Sequence, residues 1–161
     1  MFSTARRTNG MAGLVLVTVL AAVGATAATA GSASAAPQTM PQVSSPTPCA
    51  VTAKACMDRS RHQAWLTDGA GHVIYGPVAS RGGTSSAPTP VGTFQVLSKD
   101  KHFYSTQFHA PMPYSVFFYP GDAFHADNTS VASNGCIHLN WSSAQHFYNT
   151  LQVGDQVQIV N

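Results

Sequence analysis

The chain has 161 residues, a net charge of +2 and no glutamate. A small, scattered positive charge argues against a nucleic-acid-binding surface, and six dispersed aspartates disfavour the paired carboxylates of a glycosidase. Residues 37–161, which follow the N-terminal segment described next, are enough for one compact domain.

Residues 1–36 have the composition of an export signal. Arg6 and Arg7 precede an apolar run at 11–30, and small residues follow at 33–36, where a signal peptidase would cleave. We expect general secretion, cleavage near Ala35 or Ala36, no stable membrane insertion afterwards, and an extracytoplasmic location. The alternative is an uncleaved anchor, which the modest hydrophobicity of the run disfavours.

Residues 37–53 are predicted to be a flexible N-terminal segment, because they contain few large apolar side chains. The odd number of cysteines in a chain expected to be exported is informative. Cys49 and Cys56 are close enough in sequence to form a disulfide. Cys136 then remains free as a buried structural residue, an intermolecular bridge or a reactive thiol.

Strands dominate the predicted secondary structure of the first half. A turn signal at 67–71 joins two runs into a β-hairpin, and a loop rich in turn-forming residues covers 80–90. The predicted strands are short apolar or alternating runs at residues 56–58, 63–66, 72–75 and 92–97.

The second half is predicted to contain a long cleft-forming loop, short strands and one helix. Residues 99–113 lack periodicity, which favours an ordered loop. Asn140 or Ser142 would cap a helix that runs to Leu151. The predicted strands lie at residues 115–119 and 123–125 and around Val157 and Ile159. This pattern predicts a mainly β sandwich or barrel.

Residues 124–139 contain a thiol, two histidines and a glycine. A cysteine nucleophile needs a base, a group that orients the base, and N–H donors for an oxyanion. Gly135 gives the backbone before Cys136 the freedom to adopt strained angles. Spacing alone allows either His125 or His138 to be the base, because His138 would share a strand face with the thiol.

Residues 133–138, Ser-Asn-Gly-Cys-Ile-His, resemble the Ser-His-Gly-Cys-Val/Ile-Arg signature of the L,D-transpeptidase catalytic domain. An upstream histidine at the end of a strand belongs to the same pattern. Three further segments are similar to that family in the same order, at residues 89–94, 112–114 and 155–157. The resemblance covers residues 54–161, and it implies an L,D-transpeptidase-like β-sandwich with one short C-terminal helix.

The resemblance also assigns roles in the site. It implies that Cys136 is the nucleophile, that His125 is the base, and that the carbonyl of Ala126 orients the base. N–H groups around Gly135 and Cys136 would bind the oxyanion. The oxyanion and positioning residues are then Gly135, Asn134, Ser133, Ala126 and His138.

The implied reaction joins peptidoglycan stem peptides, so the resemblance also implies that the secreted protein is associated with the cell wall. Cys136 would form a thioester with a stem tetrapeptide, releasing the terminal D-alanine, and the acyl group would pass to an acceptor amine. Neither a metal nor an organic cofactor is implied, and carbapenem-type β-lactams are possible inhibitors. The alternatives are an L,D-carboxypeptidase, which passes the same acyl-enzyme to water, and a catalytically impaired wall-binding domain.

Two residues depart from the family signature. Asn134 replaces a histidine, so it can form hydrogen bonds but cannot hold a charge at neutral pH. His138 replaces an arginine, which removes a permanent cation. A metal site formed by His125, Asp127, Cys136 and His138 is disfavoured, because the spacing matches no usual closed zinc site.

Overall fold

The computed structural model of the protein describes residues 46–161. The predicted signal peptide and most of the predicted flexible segment lie outside these residues. The elements are β1 (Ala55–Asp58), β2 (Gln63–Thr67), β3 (Val73–Arg81), β4 (Gly92–Gln95), β5 (Ser98–Ser105), β6 (Ala110–Tyr119), β7 (Asp122–Ala126), β8 (Ile137–Leu139), α1 (Trp141–Thr150) and β9 (Gln156–Val160).

Within residues 46–161, nine strands form one sheet in the order β4-β9-β1-β2-β3-β8-β7-β6-β5. Neighbouring strands are antiparallel except for two parallel pairs, β1 with β9 and β7 with β8. The predicted mainly β architecture with one C-terminal helix is confirmed for the part of the chain that the structure describes. The predicted hairpin around residues 67–71 is also confirmed, since β2 and β3 pair antiparallel.

The prediction of a loop at residues 99–113 is wrong, because this segment belongs to the β5–β6 hairpin. β5 is an edge strand with mostly exposed side chains, so it lacks a clear apolar alternation. Pro111 and Pro113 also argued against a strand in the sequence. They lie where β6 pairs with β5 but before its pairing with β7 begins at Val116, so their missing N–H groups cost no ladder bond on that side.

The main core lies between the sheet and α1. Asn140 caps the helix by accepting a hydrogen bond from the Ser143 N–H at 2.9 Å, which confirms the predicted start. Phe147 on the helix contacts Phe124 on β7 at a ring-centroid distance of 5.1 Å. Large fully buried side chains of this core include Met57, Leu66, Phe118, Phe124, Ile137, Leu139, Phe147, Leu151 and Ile159.

A smaller core lies on the other face of β1 and β2. Cys49 and Cys56 form the expected disulfide, and Ala53 and Trp65 are buried with them. The last residues of the segment predicted to be flexible are therefore packed against the sheet. Among residues 46–161, no helix is both long enough and apolar enough to cross a membrane.

Candidate active site

The two histidines of the signature segment face each other across the parallel pair β7 and β8. His125 lies opposite His138 in the register, and their rings meet edge to face with centroids 4.9 Å apart. The residues that alternate with them are apolar and belong to the main core. The pleat of two paired strands thus directs core residues to one face and both imidazoles to the other.

Gly135 has a backbone conformation that favours glycine and sets the position of the adjacent thiol. Its φ is +121°, where side chains are disfavoured. A Cβ atom at this position would also collide with the carboxylate of Asp122. Glycine is therefore required before Cys136 for two separate reasons.

The carbonyl oxygen of Cys136 is held by two hydroxyl groups. Ser133 donates a hydrogen bond to it through Oγ, and Thr89 donates through Oγ1 at 3.4 Å. Each hydroxyl also accepts a backbone N–H: Ser133 from Gly135 at 3.1 Å and Thr89 from Gly83 at 2.9 Å. These bonds tie the loop before β4 to the backbone around the thiol.

His125 is only 3% exposed, and its orientation is set by its own strand. Its Nδ1 lies 3.3 Å from the carbonyl oxygen of Ala126. A carbonyl can only accept, so Nδ1 bears the proton and Nε2 keeps a free lone pair. This is the tautomer that a general base acting through Nε2 requires.

His138 is bonded to the loop that connects β7 and β8. Its Nδ1 lies 2.9 Å from the carbonyl oxygen of Val131 and 3.3 Å from that of Asn128. Its Nε2 lies 3.5 Å from Oδ2 of Asp127. The residue that replaces the family arginine therefore holds the connecting loop in place.

A cleft of about 200 Å³ opens over these residues. The thiol of Cys136 is half-buried there and donates to the carbonyl oxygen of Gly121 at 3.7 Å. The lining includes Phe108, Met112, Gly121, His125, Asp127, Ser133, Asn134, Cys136 and His138.

The structure brings together most of the predicted site residues. His125, Ser133, Asn134, Cys136 and His138 all line the cleft. Ala126 and Gly135 act on it through backbone groups, whereas Cys49 and Cys56 lie in the smaller core.

Two residues next to the thiol were not predicted as members of the site. Thr89 was noted only as part of a segment resembling the family, and its fully buried hydroxyl bonds the backbone of Cys136. Asp122 follows a turn, and no sequence spacing relates it to Gly135. Only the register of β7 and β8 brings that carboxylate to the glycine.

Burial favours the uncharged forms of both Cys136 and His125. Burial raises the pKa of the Cys136 thiol to about 11, and the charges of Asp122 and Asp127 act in the same direction. Burial is also the largest cause that lowers the pKa of His125 to about 4, followed by the charge of His138. At neutral pH the pair therefore rests as a thiol and a neutral imidazole.

Comparison with solved structures identifies similar folds. An L,D-transpeptidase from Stackebrandtia nassauensis is 25% identical with a TM-score of 0.63, and the match covers 66% of this chain and 54% of that chain. The L,D-transpeptidase LdtMt1 in complex with imipenem is 24% identical with a TM-score of 0.58, covering 66% and 57%. L,D-transpeptidase 3 from Mycobacterium tuberculosis in complex with a faropenem-derived adduct is 22% identical with a TM-score of 0.58, covering 66% and 59%.

The chain spans little more than half the length of these three solved chains. No curated protein gave a significant match. Residues 53–159 match the sequence model of the YkuD family, described as the L,D-transpeptidase catalytic domain. This chain therefore belongs to the L,D-transpeptidase catalytic domain family.

Proposed function

We propose that the protein is a peptidoglycan L,D-transpeptidase, a cysteine acyltransferase in which Cys136 is the nucleophile and His125 the general base. One observation supports this proposal above all. The free thiol of Cys136 and an imidazole fixed in the base tautomer by Ala126 line the same cleft. This is the combination that nucleophilic acyl transfer by cysteine requires.

In the proposed reaction, Cys136 Sγ attacks the carbonyl carbon of the L,D-peptide bond in a stem tetrapeptide. The thiol proton passes to His125 Nε2 as the carbon–sulfur bond forms. His125 then gives the proton to the departing D-alanine amine, which leaves a thioester on Cys136. An acceptor amine attacks the thioester, loses its own proton through His125, and regenerates the thiol.

The oxyanion formed in each step needs nearby N–H donors. The Gly135 N–H already donates to Ser133 Oγ, so the Cys136 N–H is the better candidate. Ser133 Oγ holds the backbone on both sides of this N–H, because it accepts from the Gly135 N–H and donates to the Cys136 carbonyl oxygen. Such fixed dipoles stabilise developing charge without reorganising during the reaction.

Proton transfer is proposed to accompany attack rather than precede it. With the thiol pKa raised to about 11 and the His125 pKa lowered to about 4, a thiolate–imidazolium pair is unfavourable before substrate binds. The same shifts support a second candidate, a wall-binding domain of this fold with little turnover. An L,D-carboxypeptidase would differ only in using water as the acceptor.

We also propose that the protein acts outside the cytoplasm on stem peptides of the cell wall. The support for this is the charged, apolar and small-residue pattern of residues 1–36 together with the family. Inhibition by carbapenem-type β-lactams is proposed because a protein of similar fold is in complex with imipenem.

Product analysis tests the proposed reaction. The purified protein is incubated with a synthetic stem tetrapeptide, with and without an acceptor peptide that presents a side-chain amine, and the products are separated and weighed by mass spectrometry. The matched control is Cys136→Ala. We expect a cross-linked dimer and free D-alanine from the wild type, and neither from the variant.

Each other outcome identifies a different function. A tripeptide and D-alanine without a dimer would indicate the carboxypeptidase. Binding of tetrapeptide without any product, unchanged in Cys136→Ala, would indicate the wall-binding domain and overturn the enzymatic proposal.

A further inference from the structure

Three side chains around the cleft have the chemistry and spacing of a transition-metal site. One ring nitrogen each from His125 and His138 and one carboxylate oxygen of Asp127 lie within 4.8 Å of one another. His125 and His138 are direct partners in the register of β7 and β8. Asp127 is two residues beyond His125, and its N–H extends the strand pairing by donating to Leu139.

One ligand pair already has the separation of a metal site, and the other two pairs lie within 4.8 Å. In a tetrahedral zinc site with bonds near 2.1 Å, neighbouring ligand atoms are about 3.4 Å apart. His138 Nε2 and Asp127 Oδ2 are already 3.5 Å apart. The Asp127 side chain is 48% exposed and can rotate towards the imidazoles, which the strand pair holds.

The hydrogen bonds formed by the second ring nitrogen of each histidine also fit metal ligation. Nδ1 of each histidine is bonded to a backbone carbonyl, that of Ala126 for His125 and that of Val131 for His138. Histidine ligands typically donate their second ring nitrogen to such an oxygen, which fixes the tautomer and directs the other lone pair at the metal. In the neutral form of each ring, the Nε2 lone pair is thereby left for a metal ion.

We propose that His125, Asp127 and His138 form a binding site for a divalent transition-metal ion of the zinc type. Two imidazoles and one carboxylate suit Zn²⁺, and such three-ligand sites leave a fourth position for water. That position faces the cleft, whose lining includes all three ligands. His138 makes the site possible, because an arginine in its place could not donate a lone pair.

Zn²⁺ bound at this site would inhibit the enzyme reversibly, a consequence that rests on the proposed function. Bound Zn²⁺ occupies the His125 Nε2 lone pair, which the mechanism needs for the Cys136 proton. The metal and the base role therefore exclude each other, and the activity would fall as Zn²⁺ rises and return when a chelator removes the ion.

The test measures Zn²⁺ affinity by competition with a chromophoric chelator, using the wild type, Asp127→Asn, His138→Gln and Cys136→Ser. We expect one Zn²⁺ per wild-type chain, with about tenfold or greater weakening in Asp127→Asn and His138→Gln. Cys136→Ser should bind within about threefold of the wild type, as should the control His102→Gln on an exposed position. Asp127→Asn is nearly isosteric, so it remains informative if His138→Gln misfolds.

Three results would overturn the site: no bound Zn²⁺, binding unchanged in Asp127→Asn, or binding lost in Cys136→Ser. The first two would exclude the three-ligand set, and the third would assign binding to the thiol. Binding is measured independently of turnover, so this test stands even if Cys136 forms no acyl-enzyme. The inhibition is tested separately, as the ratio of carbapenem acylation rates with and without Zn²⁺, which should move towards one in Asp127→Asn.

Discussion

The sheet contains two parallel strand pairs that present apolar residues to the core in the same way and differ on the opposite face. In β1–β9, Ala55 and Met57 face the core beside Val157 and Ile159. In β7–β8, Phe124 and Ala126 face it beside Ile137 and Leu139. Both pairs therefore contribute apolar residues to the same core.

The faces of the two strand pairs that point away from the core differ. On β1–β9, Cys56 lies beside Gln158, and the disulfide to Cys49 holds residues 49–50 over that face, where the Ala50 N–H donates to Gln158 Oε1 at 2.6 Å. On β7–β8 the corresponding positions are His125 and His138, and they open into the cleft. A covered face stabilises the fold, and an open face with free lone pairs is available for chemistry.

The largest expected effect comes from removing the base on the open face. His125→Gln keeps a polar side chain of similar length but cannot take the thiol proton, so acylation of Cys136 by a carbapenem should slow by about 100-fold or more. Time-resolved intact mass measures the rate. The matched control is His146→Gln, on α1 and stacked on Tyr75. A change below about threefold in His125→Gln would contradict the assigned role.

Gly135→Ala should combine backbone strain with a collision. A non-glycine residue at its φ costs about 1 to 3 kcal/mol, and the new methyl group also displaces the Asp122 carboxylate. Gly154→Ala is the control, because Gly154 has φ +92° and its Cβ would meet nothing within 4 Å. Denaturant unfolding should show a clearly larger loss of the free energy of unfolding for Gly135→Ala than for Gly154→Ala. Equal losses would show that the collision with Asp122 does not affect stability.

The covered face is tested by replacing both disulfide cysteines with serine. Opening a crosslink of this short loop should lower the free energy of unfolding by about 2 to 3 kcal/mol. Acylation of Cys136 should stay within about twofold, because the disulfide belongs to the smaller core. An acylation rate that falls together with the free energy of unfolding would show that the β1–β9 and β7–β8 strand pairs are coupled.

The smallest effect concerns the resting thiol. Because burial raises its pKa to about 11, Cys136 should react with iodoacetamide slowly at neutral pH, and the rate should rise through the alkaline range. Alkylation followed by mass against pH measures the profile. A plateau already reached near pH 7 would instead indicate a preformed thiolate and a different protonation state of His125.

Much of the fold followed from local signals. The turn at 67–71 predicted β2 and β3, and the spacing of apolar residues after Asn140 predicted α1. The β5–β6 hairpin was missed because an edge strand has no need for alternating apolar residues, and Pro111 and Pro113 are tolerated where β6 has an open side.

The site was predictable where the sequence neighbours of Cys136 form it. Gly135 and Ser133 lie next to the thiol in the chain, and the family resemblance proposed His125 from a matching pattern. Thr89 and Asp122 reach the thiol only through tertiary structure, by the loop before β4 and by the register of β7 and β8. Sequence spacing contains no record of such contacts.

Intact mass after incubation with a carbapenem tests the central claim most directly, with the Cys136→Ala variant alongside the wild type. We expect one covalent adduct per wild-type chain, located on Cys136 by peptide mapping, and none on the variant. No adduct on the wild type, or an adduct that persists in Cys136→Ala, would contradict the assignment of Cys136 as an activated nucleophile.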